Sequence, residues 1–73
     1  MLSPDAYEKI MVKIFRNDED DYRRSMDLIN KAKDWKQASI YLDALFMRRK
    51  VDPDSKTATR LTDAVYARFH SVR

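Results

Sequence analysis

The sequence predicts an all-α chain: a small four-helix bundle or a pair of stacked helical hairpins, with helices near residues 4–16, 18–32, 35–50 and 53–70. Three observations carry this reading. Apolar residues recur at three- and four-residue intervals along each segment. Helix-start signatures at Ser3-Pro4, in the run Asn17-Asp18-Glu19-Asp20-Asp21, at Asp34 and at Asp52-Pro53 leave only short joints between the helices. The chain has no glycine and only two prolines, so the residues that form tight hairpin turns or phosphate-cradling loops are scarce or missing.

The first helix opens with Ser3, whose side-chain oxygen suits a cap, and Pro4, which suits the first helical position. Asp5 then sets a negative charge against the positive end of the helix dipole. Tyr7, Ile10, Met11, Ile14 and Phe15 form one apolar stripe, and the helix is expected to stop near Arg16. The run Asn17-Asp18-Glu19-Asp20-Asp21 invites comparison with a calcium loop. Its sixth position counted from Asp18 is not glycine, however, and its twelfth is Ile29, where a bidentate glutamate is needed. The run reads instead as an N-cap and acidic first turn. Tyr22, Met26 and Ile29, flanked by Leu28 and Ala32, give this second helix a thin stripe. It is the most polar of the four and is expected at an edge.

Lys31 and Lys33 suit the negative end of that helix, and Asp34 with Gln37 three residues on is a capping box that opens the third. So short a joint makes the second and third helices antiparallel neighbours. The third helix organises the chain. Trp35, Ala38, Tyr41, Leu42, Leu45 and Phe46 share one face, and Trp35 is expected to be buried as a core anchor. Ile40, Ala44, Met47 and Val51 form a second apolar seam on the opposite side. Covering both faces would require the first and fourth helices to pack on different sides of the third. Otherwise the seam stays partly open for another chain. Arg49 is an anomaly: it falls on the apolar face with Leu42 and Leu45 and must snorkel or find an anion. Asp52 as cap and Pro53 at the first position are expected to start the last helix, whose stripe is Ala58, Leu61, Val65, Phe69 and Val72.

Composition narrows the function. A chain of 73 residues is read as a single domain over residues 1–73. Without cysteine there is no disulfide framework and no thiolate metal site. No stretch reaches the roughly 20 apolar residues of a membrane span, so the expected location is the cytoplasm, with no membrane partner. The sole histidine, His70, lies near the chain end, and no nucleophile elbow would hold a serine beside it. Asp43 and Asp63, mid-helix acids without a cap role, are expected to form solvated ion pairs. An enzyme, a cofactor, a metal and a small-molecule substrate are therefore not expected.

The expected function is protein–protein interaction as an adaptor, subunit or small regulator, through Ile40, Ala44, Met47 and Val51, with another chain or a second copy. The alternative is nucleic-acid binding. The net charge of +3 matches the surplus of residues 35–51 alone, where Lys36, Arg48, Arg49 and Lys50 stand against Asp43. Arg48, Arg49, Lys50, Lys56 and Arg60 would then contact phosphates around the last turn between helices.

Overall fold

The computed structural model describes residues 4–70, and the cap expected at Ser3 and the stripe position Val72 lie outside them. The helices are α1 (Pro4–Lys13), α2 (Glu19–Asn30), α3 (Trp35–Arg49) and α4 (Lys56–His70). Local chemistry accounts for most of the boundaries. The Asp18 carboxylate accepts from the Asp21 amide at 3.1 Å and starts α2. At α3 the Asp34 carboxylate accepts from the Gln37 amide at 2.9 Å. The Gln37 side chain in turn accepts from the Lys33 amide at 3.0 Å, one residue earlier than a strict capping box.

The fourth helix starts later than expected. Asp52 is not its cap: the Asp52 carboxylate accepts from the Asp54 amide at 2.9 Å and holds Pro53 and Asp54 in a turn. The Ser55 hydroxyl caps α4 by accepting from the Ala58 amide at 3.2 Å. The first helix ends earlier than expected, at Lys13, because the next residues fold the chain back through hydrogen bonds from Phe15 to Ile10 and from Asn17 to Met11. Arg16 and Asn17 are both left-handed there, at φ 52° and 64°.

Lys50 is the third left-handed residue, at φ 56°. Its amide donates to Met47 at 3.2 Å, and the Val51 amide donates to Phe46 at 2.8 Å, which is a Schellman ending built without glycine. A lysine in this conformation costs about 1 kcal/mol. A Lys50→Gly chain is therefore expected to gain about 0.5–1 kcal/mol in chemical denaturation.

α1 packs on α4, α4 on α3 and α3 on α2, forming a small helical bundle around one buried cluster. Phe15, Ile10, Ile14, Ile29, Leu42, Leu61 and Val65 are its largest fully buried side chains. α2 and α4 flank α3, and α1 sits on α4, so the arrangement that would have covered both faces of α3 is not the one adopted. Trp35 and Tyr41 are half-buried against the core rather than enclosed by it. Tyr7 is mostly a surface residue whose ring meets Tyr22 edge-on at 5.3 Å.

Trp35 meets Tyr66 edge-on at 5.0 Å and His70 at 6.3 Å, and His70 stacks on Tyr66 at 3.9 Å. Full burial of a tryptophan is worth about 3–5 kcal/mol on truncation. With half of that contact, Trp35→Ala is expected to cost about 2 kcal/mol, read from the shift in urea midpoint at constant slope.

Candidate functional site

The seam expected on α3 divides into two parts. Ile40, Ala44 and Met47 stand exposed on the outer side of the helix, with Ile40 at 58% and Met47 at 80% of full exposure. Val51 does not join them. The Schellman turn sends the chain back, and Val51 is half-buried against the core. Leu28 of α2, half-exposed, extends the apolar surface sideways: with Tyr41, Ala44 and Leu45 it lines a shallow groove between α2 and α3. The seam is open because α1, the helix that would have covered it, rests on α4.

The basic residues are also divided. Arg49 reaches across to α2, where its Nε donates to an Asp21 carboxylate oxygen at 2.6 Å and its terminal nitrogen contacts the same oxygen. That nitrogen also lies 3.4 Å from the Asp18 carboxylate. Arg48 lies 3.0 Å from the other Asp21 oxygen and donates to the Ser25 hydroxyl at 3.3 Å. The Arg49 guanidinium also sits 5.9 Å from the centre of the Phe15 ring. Arg49 and Asp21 are nearly enclosed, at 17% and 16% exposure, so these charge-assisted contacts are largely shielded from solvent. Burial pushes the Asp21 carboxyl pKa up. The hydrogen bonds and charges of Arg48 and Arg49 outweigh that, and the net direction is down.

Lys50, Lys56 and Arg60 are exposed, and among the described residues none of them forms an ion pair. The five cations expected to form one patch thus serve two different ends. Asp43 and Asp63, expected in ion pairs, are exposed and have none among the described residues. No sequence signal named Asp21 as the anchor of α3. The nearest signal was negative, an arginine on an apolar face with no partner in its own helix.

A second concavity, of about 600 Å³, lies between the start of α1, α2 and α4, and is lined by Tyr7, Tyr22, Met26, Leu61, Val65 and Arg68 among others. Burial raises the Tyr22 pKa, the nearby Tyr7 hydroxyl raises it further, and Arg68 opposes both; the ring stays protonated at neutral pH. The His70 Nδ1 donates to the Tyr66 carbonyl at 3.0 Å within its own helix. Among the described residues, no group of three or more histidines and carboxylates is placed to hold a metal ion. Among the described residues, no helix is long and apolar enough to cross a membrane.

No curated protein and no solved structure matches the chain. A family model matches it over residues 5–70, a span that takes in all four helices almost end to end. The chain belongs to the family described as a domain of unknown function, DUF8457.

Proposed function

We propose that this protein is a non-enzymatic interaction module of the cytoplasm, an adaptor, subunit or small regulator, which binds another protein chain or a second copy of itself through the outer face of α3. The observation that supports this most is the exposure of Ile40 and Met47 one above the other on a helix whose opposite face is core. Apolar side chains left in water along one stripe of so small a molecule support a contact surface there. Met47 suits it, since an unbranched thioether adapts to the shape of a partner. Leu28 and the groove beside it would widen the footprint across two helices.

The nucleic-acid reading is the runner-up. Its support is narrower because Arg48 and Arg49 are engaged with Asp18 and Asp21, leaving Lys50, Lys56 and Arg60 as free cations. The two readings separate in one experiment, a pull-down from native lysate repeated with nuclease and at high salt, alongside sedimentation of the purified protein over a concentration series. Apolar contact predicts capture or self-association that survives nuclease and salt. Phosphate contact predicts loss under both.

A further inference from the structure

At the joint of α1, α3 and α4 lies a cleft of about 250 Å³, lined by Lys13, Arg16, Lys50, Val51, Asp52, Ser55 and others. Three cations converge on it from three different places. Lys13 comes from the last turn of α1, Arg16 from the loop after it, and Lys50 from the turn that ends α3. Among the described residues, none of the three side chains has an ion pair or a hydrogen bond, in contrast to Arg48 and Arg49 a turn away. Asp52 is the one carboxylate in the lining, and its Oδ1 accepts from the Asp54 amide. Three positive charges against one leave the cleft with a surplus of two. Unpaired like charges brought to one cavity repel each other, and a fold that accepts this cost gains it back when an anion arrives.

We infer that this cleft binds a phosphate monoester. A monoester carries about −1.5 to −2 charges at neutral pH, which matches the surplus, whereas a phosphodiester carries only one. Its oxygens accept from ammonium and guanidinium donors, and the Ser55 and Thr57 residues in the wall add hydroxyls. The volume leaves room for a short stem beyond the phosphate. Such a group would come either from a free small molecule or from a phosphoserine on a partner chain. This site is separate from the α3 seam, so its failure would leave that reading intact.

The test is calorimetric titration of the intact chain with glycerol 3-phosphate, a short phosphoserine peptide, the same peptide without phosphate, and a single-stranded oligonucleotide as the diester. Saturable binding of a monoester is expected, strengthening as pH rises through about 6, where the second phosphate proton leaves. Lys13→Gln and Arg16→Gln, both at exposed positions, should each weaken it about tenfold, because a charge-assisted contact is worth that much, while Lys56→Gln changes little. Equal binding of the two monoesters would assign the group to a free molecule, and clear preference for the peptide would assign it to a partner chain. Either result supports the site. Binding of neither monoester, equal binding of the unphosphorylated peptide or of the oligonucleotide, or indifference to Lys13→Gln and Arg16→Gln in chains with unchanged melting would overturn it.

Discussion

An Asp21→Ala chain is expected to be about 2–3 kcal/mol less stable than the natural one, because one truncation removes the carboxylate that two arginines share and leaves Arg49 only its longer contact to Asp18. Removing one partner of a fully buried ion pair costs about 3–5 kcal/mol. Arg49 and Asp21 retain a sixth of their exposure, so the loss should fall below that range. For a chain of this size the melting temperature should drop by roughly 10–20 °C. Arg48→Gln should matter far less, under about 1 kcal/mol, because Arg48 is half in solvent and water replaces its contacts. A fall after Arg48→Gln as large as after Asp21→Ala would place the main bond on the wrong arginine.

The same carboxylate sets a pH dependence. Its pKa in the folded chain is depressed, so the unfolded chain binds the proton more readily. The stability it contributes is present above the unfolded value, about 3.9, and is lost as pH falls below that toward the folded value. Denaturation curves taken from pH 6 downward should therefore show a steep loss beginning near pH 4. An Asp21→Asn chain should be less stable at pH 6 and show a shallower slope below about pH 4. An unchanged slope would assign the acid sensitivity to other carboxylates.

A Met47→Glu chain is expected to fold normally and lose its assembly. Met47 is the most exposed of the large apolar residues, so the substitution should alter stability by less than about 0.5 kcal/mol. Within an apolar contact, the new carboxylate would be buried without a partner, weakening association by about tenfold or more. Ile40→Asp, two positions along the same stripe, should do the same. Sedimentation and pull-down read both changes. Unfolding of the variant would mean that Met47 is packed, and a folded variant with assembly untouched would remove the seam as a binding surface. Lys36→Glu, on the exposed surface of the same helix, serves as the charge control.

What the sequence determined by itself was local. The carboxylates of Asp18 and Asp34 had to cap the helices they precede, because a cap reaches only three residues along the chain. The stripe Ala38-Leu42-Leu45-Phe46 and the pair Ile10-Met11 had to be core, because a period of 3.6 puts each set on one side of its helix and water excludes that side. Ile14 and Phe15 reach the same core from the turn that follows α1. Even the boundary at Pro53 turned on local chemistry, with Asp52 holding the Asp54 amide in a turn and Ser55 capping the helix three residues later.

Only the tertiary structure decided which helix lies beside which. Periodicity says that a face is apolar and leaves open what covers it, and here α1 chose α4, so that Ile40 and Met47 stayed in water. It decided the fate of Arg49 as well. The sequence marked it as an arginine in need of an anion, but its partners stand 28 and 31 residues away, in the first turn of α2 and at its cap, beyond the reach of any local pattern. A charge nearly enclosed by the fold cannot remain alone, and bringing α2 alongside α3 is what supplied its counter-ion.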